Sequence, residues 1–273
     1  MKAFLITFYF LISYAVLSAQ TKLADLPLTK HRFIVVAHRG DHVEVPENTL
    51  AAFQMAVVHE ADFVEIDLRT TRDSVLVIMH DATIDRMTNG HCRVSDLAYQ
   101  ELRGFKVMDK NRAGSEEYSI PSFEEALQWC KGKINIYLDF KDADVKQSYA
   151  LIKKYQMEKN VIVYINSENQ FAQWRSIVPS MPLMISLPDE INTAQKLTDF
   201  LKMHPVEMLD GDYSGYTAER IKAAKEAGTK VLLDIQSADE MNNWESAMQF
   251  EFDGLQTDHP AMLVAFLKAK QKR

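Results

Sequence analysis

The chain has 273 residues, 31 basic and 38 acidic side chains, and a formal net charge of −7, a balance that speaks against nucleic acid or an anionic membrane surface as its main partner. That length accommodates one barrel-sized domain without a second. Two cysteines, Cys92 and Cys130, are too few for a disulfide framework and lack the spacing partners of a zinc site, so both read as structural, with a bridge between them left open.

At the N-terminus, Met1-Lys2 is a short basic start, residues 3–17 are uncharged and almost wholly apolar, and Ser18-Ala19-Gln20 supplies small residues for cleavage. This is the layout of a secretory signal peptide, with an apolar run too short for a good membrane span. No cysteine follows it to carry a lipid, and no later stretch is apolar enough to span a bilayer. Residues 1–19 are therefore expected to be removed, leaving residues 20–273 as one exported domain, periplasmic or secreted, with no stable membrane anchor. No sequence signal points to a protein partner.

Short β-rich runs then alternate with amphipathic helical stretches. The runs are residues 33–37, 63–68, 134–139, 161–165, 182–187, 206–210, 230–234 and 252–257, near-continuously apolar as parallel strands covered on both faces should be. Ser122 with Glu125, Ser167 with Gln170 and Ser237 with Glu240 have the spacing of capping boxes at helix starts. The alternation predicts an α/β fold, a TIM-type (β/α)8 barrel. An open doubly wound sheet is the alternative, and no glycine-rich dinucleotide turn supports it. A further run, residues 75–79, breaks the pattern: only residues 69–74 precede it, too few for a helical crossover. It is expected to fold back as a hairpin strand, with Asp73-Ser74 near the turn. A two-residue turn would set His80 opposite Asp67, with Glu65 close by.

Barrel chemistry gathers at the C-terminal ends of the strands. The first strand ends in Ala37-His38-Arg39-Gly40. The second carries Glu65-Ile66-Asp67, whose i, i+2 spacing puts both carboxylates on one face, and the next barrel strand ends in Asp139-Phe140-Lys141 with the same spacing. Glu65, Asp67 and Asp139 make an oxygen-rich set suited to a hard divalent cation, Mg²⁺ or Ca²⁺. Arg39 and Lys141 are placed to balance a phosphate, and His38 and His80 to serve as base and acid. His42 and Glu44, in the loop after the first strand, are candidate substrate contacts. Asp210 and Asp212 read as solvated loop-end residues, and His31, His59, His91, His204 and His259 fall in no constellation. Trp129, Trp174 and Trp244 lie on helical stretches and are expected to pack against the barrel.

Val36-Ala37-His38-Arg39-Gly40, Pro46-Glu47-Asn48-Thr49 with Ala52-Phe53, Glu65-Ile66-Asp67, Thr71-Arg72-Asp73, His80-Asp81 and Asp85-Arg86-Met87-Thr88 closely resemble the glycerophosphodiester phosphodiesterase family. Ile120-Pro121-Ser122-Phe123-Glu124-Glu125 and Gly254-Leu255-Gln256-Thr257-Asp258-His259-Pro260 are similar to its later landmarks, so the resemblance runs over about residues 33–262. It implies a TIM-type barrel, a divalent metal, and hydrolysis of a small-molecule glycerophosphodiester to glycerol 3-phosphate and an alcohol. Carried onto matching positions, His38 and His80 would be the acid/base residues. Glu65, Asp67 and Asp139 would hold the metal, and Arg39, Glu47 and Lys141 would line the phosphate and glycerol pocket. Three features depart from the family. Asp139 stands where Glu is usual, which is similar to sphingomyelinase D relatives; those lack Pro-Glu-Asn-Thr and remain the alternative, a lysophospholipase D-like activity. Asp234-Ile235-Gln236-Ser237 replaces a Trp-Thr-x-Asn run that shapes the substrate pocket. The segment between His80 and Pro121 is short, which suggests an open site. A non-catalytic phosphate-binding barrel is a further alternative.

Overall fold

The computed structural model describes residues 23–108, 118–237 and 239–273; the expected signal peptide lies outside the described residues. Nine strands form, β1 (Ile34–Ala37), β2 (Phe63–Thr70), β3 (Leu76–Ile78), β4 (Asn135–Phe140), β5 (Val161–Ile165), β6 (Leu183–Ser186), β7 (Met208–Asp210), β8 (Lys230–Asp234) and β9 (Gly254–Thr257). The helices are α1 (Leu50–Val58), α2 (Tyr99–Leu102), α3 (Phe123–Cys130), α4 (Val145–Lys154), α5 (Glu168–Ile177), α6 (Ala194–Met203), α7 (Ala218–Glu226), α8 (Met241–Ala247) and α9 (Pro260–Ala269). All strands but β3 pair in parallel, and β1 pairs with both β2 and β9, which closes the ring. The expected runs all become strands; most match or lose a residue or two at an end, while β2 runs on to Thr70 and β4 to Phe140. The close passage of β9 beside β1 needs Gly254, because a Cβ there would lie 2.5 Å from the Ile34 carbonyl oxygen.

Alternation along the strands sets the interior. Ile34, Val36, Phe63, Tyr137, Ile162, Met184, Met208 and Leu232 pack together inside the ring as an apolar plug. Two residues further along the same strands come His38, Glu65, Asp139, Tyr164, Ser186, Asp210 and Asp234, with Gln256 following Gly254 on β9. The inner layer thus changes from apolar to polar in one step toward the C-terminal mouth. Outside the ring, the opposite strand faces bury against helices whose largest anchors, Phe53, Phe123 and Trp174, are fully covered; each contributes about 1.5–3 kcal/mol of apolar burial. Trp244 on α8 is buried and Trp129 on α3 packs against the same core, as expected. Cys92 and Cys130 are both free thiols, so the bridge left open does not form.

The hairpin forms, but not in the expected register. Leu68 pairs with Ile78, Arg69 with Val77 and Thr70 with Leu76, and Thr71 N donates to Val75 O at 3.0 Å. The connection is therefore the three-residue loop Arg72-Asp73-Ser74, closed by Ser74 in the left-handed region at φ 62°, a common hairpin alternative to the two-residue turn. The Thr71 hydroxyl holds it open, donating to Asp73 Oδ1 at 2.6 Å and accepting from Val75 N at 2.9 Å. One extra residue shifts the pairing by one. Met79 rather than His80 lies opposite Asp67, its N donating to Asp67 O at 3.0 Å. Beyond β3 the chain does not leave the mouth bare, for Val77, Met79, Ile84, Val94, Leu102, Val107 and Ile120 form a small core of their own.

Two of the expected caps are present: Ser122 and Glu125 close a reciprocal box at α3, and the Ser167 side chain accepts from Gln170 N at α5. The third is not. Helix α8 starts at Met241 without a side-chain cap, and the fully buried Glu240 turns instead to the β9–α9 junction. Its Oε1 accepts from His259 N at 3.0 Å, lies 2.8 Å from His259 Nδ1 and accepts from the Thr257 hydroxyl, while Oε2 accepts from Asp258 N at 3.2 Å. Glu240→Ala leaves these donors unpaired, and the expected cost is about 2–4 kcal/mol. In urea, this lowers the unfolding midpoint with little change of slope; a midpoint equal to wild type would refute the clamp.

Candidate active site

Three carboxylates meet where β2 and β4 pair, Asp67 beside Asp139 in register. Oxygens of Glu65, Asp67 and Asp139 lie within 4.8 Å of one another, with Glu65 and Asp67 buried. Burial and the neighbouring charges of Asp67 and Asp139 push the Glu65 carboxyl well above the usual carboxylate range. The surrounding donors offset part of that charge. Arg39 N donates to Glu65 Oε2 at 2.7 Å, Asn48 Nδ2 to Asp67 Oδ2 at 2.7 Å, and Asn166 Nδ2 to Asp139 Oδ1 at 2.7 Å. Lys141 Nζ bridges the two strands, 3.2 Å from Asp67 Oδ1 and hydrogen-bonded to Asp139 Oδ2. Burial works against its charge, but Asp67 and Asp139 outweigh that and raise the lysine above its ordinary value. Convergent carboxylate oxygens still short of positive charge fit a hard divalent cation.

The bend after β1 aims Arg39. Arg39 and Gly40 both take left-handed backbone, at φ 51° and 84°, and a Cβ on Gly40 would meet Ala52 Cβ at 2.6 Å. The tight approach of α1 therefore requires glycine there. His38, which directly follows β1, has Nδ1 at 2.7 Å from Asp258 Oδ1, and His42 Nε2 lies 3.2 Å from the same oxygen. Burial opposes ionisation of Asp258, yet the hydrogen bonds to His38 and His42 hold its carboxyl well below the usual range. His42 is likewise raised against its burial by Asp258.

Pro46-Glu47-Asn48-Thr49 acts residue by residue. Thr49 caps α1 by accepting from Ala52 N at 3.2 Å. Asn48, left-handed at φ 56°, brackets Asp67. Glu47 takes Arg86 in a two-pronged pair, Nη1 to Oε2 at 2.8 Å and Nη2 to Oε1 at 2.7 Å, and also accepts from Arg39 Nη1 at 3.1 Å. Arg86 Nε donates to Asp81 Oδ2 at 2.6 Å, and Asp81 Oδ1 lies 2.7 Å from His80 Nδ1. Arg69 holds the His80 carbonyl through Nε at 2.8 Å and Nη2 at 2.6 Å. His80 is thus tied to the carboxylate site through Asp81, Arg86, Glu47 and Arg39, not by standing opposite Asp67.

Arg39, Glu47, Lys141 and the three carboxylates therefore form one connected group, which His80 joins through Asp81 and Arg86, while His38 shares Asp258 with His42 in a second group at the same mouth. Sequence reasoning assigned no role to Asn48, Asp81, Arg86 or Asp258, although each lies inside a motif; its adjacency to a histidine was the signal available for Asp81. Asn166 and Arg69 carried none. Asp210 is a correction, being 2% exposed rather than a solvated loop end. Inward parity with Met208 was the signal for it. The remaining histidines His31, His59, His91, His204 and His259 pair with Asp62, Asp41, Asp85, Glu168 and Glu240.

Residues 38–181 match the model of the glycerophosphoryl diester phosphodiesterase family. A glycerophosphodiester phosphodiesterase of Caldanaerobacter subterraneus subsp. tengcongensis is 27% identical over 249 residues, spanning 86% of this chain and 98% of that protein. Human glycerophosphodiester phosphodiesterase 1 is 35% identical over 141 residues, 49% of this chain and 43% of its own length. Among solved structures, an Oleispira antarctica phosphodiesterase in complex with the product sn-glycerol-3-phosphate is similar with a TM-score of 0.75 at 20% identity, covering 86% of this chain and 96% of that one. At that identity the likeness bears on the fold.

If the carboxylates take a divalent cation, Mg²⁺ or Ca²⁺ at a hundredfold excess over its dissociation constant adds about 2.7 kcal/mol of stability. The thermal midpoint of the wild type should rise accordingly, and that of Glu65→Gln/Asp67→Asn should not respond. A wild-type midpoint indifferent to both ions would remove the cation from this site.

Proposed function

Because this chain belongs to the glycerophosphoryl diester phosphodiesterase family, we propose that it hydrolyses glycerophosphodiesters to glycerol 3-phosphate and an alcohol, with His38 and His80 exchanging the protons. One observation carries the reading: two imidazoles, each held at Nδ1 by a carboxylate, stand at the barrel mouth that carries the buried carboxylates. An ionised carboxylate only accepts hydrogen bonds, so Asp258 and Asp81 keep the proton of each ring on Nδ1. That leaves Nε2 of each histidine as the atom that takes or gives a proton. Hydrolysis needs one of each: a base for the attacking hydroxyl or water, and an acid for the departing oxygen.

Glu65, Asp67 and Asp139 are the residues that would hold Mg²⁺ or Ca²⁺, which when bound supplies positive charge against the charge gathering on the phosphoryl oxygens. Arg39 and Lys141 act in the same sense from the protein side, and both are fixed before substrate arrives. Glu47 sets Arg39 and, through Arg86 and Asp81, the His80 ring. Burial opposes ionisation of Glu47, but Arg86 and Arg39 keep its carboxyl below the usual range, so it remains an acceptor for both.

The test is release of glycerol 3-phosphate from diesters with choline, ethanolamine, glycerol and inositol head groups, with Mg²⁺ or Ca²⁺ and with EDTA. Release is expected to need the ion. His80→Ala is expected to fall about 10²–10⁴-fold and Asp258→Asn at least about tenfold, as loss or misorientation of a general acid/base residue implies. No release from any diester would sink this reading, and choline release from a lysolipid or sphingolipid instead would favour the sphingomyelinase D-like alternative.

Export of residues 20–273 from the cytosol is part of this proposal, and the layout of residues 1–20 supports it. Among the described residues no helix is long and apolar enough to cross a membrane. Sequencing the N-terminus of the exported form should begin near Gln20; an intact Met1 would contradict export by this signal.

A further inference from the structure

Beside the three carboxylates, two histidines and an aspartate bring a second set of metal-binding atoms together. One ligand atom from each of His38, His42 and Asp258 lies within 4.8 Å of the others. Asp258 Oδ1 is the shared point, 2.7 Å from His38 Nδ1 and 3.2 Å from His42 Nε2. His31, His59, His80, His91, His204 and His259 also pair with carboxylates, but one histidine to each. All three residues of the group are anchored from outside it. His38 N donates to Thr257 O at 3.1 Å, and Asp258 N donates to Glu240 Oε2 at 3.2 Å. His42 follows the buried Asp41, whose N donates to Ala52 O at 3.0 Å and whose carboxylate pairs with His59. The side chains of His38, His42 and Asp258 are 14%, 25% and 23% exposed, so solvent reaches the group.

We propose that His38, His42 and Asp258 bind one zinc ion, separate from the cation site of Glu65, Asp67 and Asp139, and that this zinc switches turnover off. Two imidazole nitrogens and a carboxylate oxygen, with water as fourth ligand, suit zinc, whereas Mg²⁺ and Ca²⁺ prefer oxygen throughout. Tetrahedral bonds of about 2.0–2.2 Å set neighbouring ligand atoms about 3.3–3.6 Å apart. His42 and Asp258 already stand near that spacing, and His38 and Asp258 need to part by only about 0.6 Å. The effect on turnover, unlike the binding, rests on the phosphodiesterase reading above. In the free protein the His38 proton faces Asp258 on Nδ1, and Nε2 carries the lone pair. When zinc binds, the N–H bond at Nδ1 breaks and the same electron pair forms the Zn–N bond. The released proton passes through solvent to Nε2 and occupies its lone pair. His38 has to accept a proton at Nε2 once in each cycle, either as the base or to be recharged as the acid. With zinc on Nδ1 it no longer does so. His42 lies between Gly40 and Pro46, in none of the segments that carry the family resemblance.

The experiment has a binding arm and a turnover arm. In the first, zinc is titrated calorimetrically into Glu65→Gln/Asp67→Asn, which lacks two ligands of the carboxylate site, and into the same variant carrying His42→Gln. One zinc is expected to bind the former, and binding is expected to weaken at least about a hundredfold in the latter, since even an outer-shell partner is worth 10- to 100-fold. Asp258→Asn in place of His42→Gln gives the same readout if the latter fails to fold. No zinc bound by Glu65→Gln/Asp67→Asn, or an affinity unchanged by His42→Gln, would overturn the site. In the second arm, glycerol 3-phosphate release at saturating Mg²⁺ is followed against zinc, each protein referred to its own zinc-free rate. Zinc is expected to slow the wild type at least about tenfold, as blocking an acid/base residue implies, and to leave the rate of His42→Gln nearly unchanged. Equal inhibition of the two would place the effect at the carboxylates and overturn the switch. Absence of any zinc-free release would overturn the reading of the reaction, while the titration still judges the zinc site on its own.

Discussion

Three carboxylates facing one point in a buried site repel one another, and much of the barrel mouth is arranged around that repulsion. Each has a fixed donor of its own, from the Arg39 backbone, the Asn48 amide and the Asn166 amide. Two of these donors lie in the β1–α1 connection and the third in the β5–α5 connection. Asn48 and Arg39 take left-handed backbone to reach their positions, a conformation that non-glycine residues hold only when neighbouring contacts require it. Gly40 allows the bend because α1 passes too close for any side chain there. Lys141 joins the carboxylates of the two strands without fully compensating them, since Asp139 too is raised, by burial first and by Asp67. A site so supplied with fixed dipoles and still deficient in positive charge is organised for a cation and for a phosphate together.

The histidines are held by a second arrangement, and it is not symmetric. His38 directly follows β1, with its N still donating to Thr257 O of β9 at 3.1 Å, so the barrel itself fixes its place; only its ring needs Asp258. That aspartate sits at the β9–α9 junction, whose shape depends on the buried Glu240. His80 stands outside the ring, on the hairpin, and has no such support. Its position depends on Arg69 gripping its carbonyl and on the Asp81–Arg86–Glu47 chain. Exposed ion pairs are individually weak, but Glu47 is only 11% exposed and is shared by two arginines in good geometry. A small satellite core under this segment gives the chain a stable base. One histidine is thus carried by the sheet and the other by a charged strap.

The parts of this organisation that depend on period were legible in the sequence. Apolar runs at barrel spacing gave the eight parallel strands, and i, i+2 spacing placed Glu65 with Asp67 and Asp139 with Lys141. What depended on a single turn was not. Nothing in Arg69–Ser74 distinguishes a two-residue connection from the three-residue loop that Thr71 and Asp73 stabilise, and that one residue moved Met79 into the place expected for His80. Ser237-x-x-Glu240 matched a capping pattern, yet a buried acceptor at the β9–α9 junction was the stronger demand on Glu240. Local signals fail where a long-range partner outbids them.

The same period also explains how a barrel can change what it recognises without disturbing its chemistry. The proposed proton-exchanging and cation-facing groups come from the ends of β1, β2 and β4 and from the hairpin, whereas the other inward polar positions come from β5 to β9. Each inward position is set by its own strand, so Asp210, Asp234 and Gln256 can be altered while the register of β2 with β4 stays as it is. The resemblance follows that division, being densest over residues 36–88 and interrupted at residues 234–237. At that place the chain carries a carboxyl, Asp234, which accepts from Gln256 Nε2 at 3.0 Å, in place of an aromatic side chain. Buried polar groups left unpaired are costly, and among the described residues Gln256 Oε1 and Asp210 Oδ1 are two such atoms, so this half of the mouth tolerates change at some cost in stability rather than in chemistry.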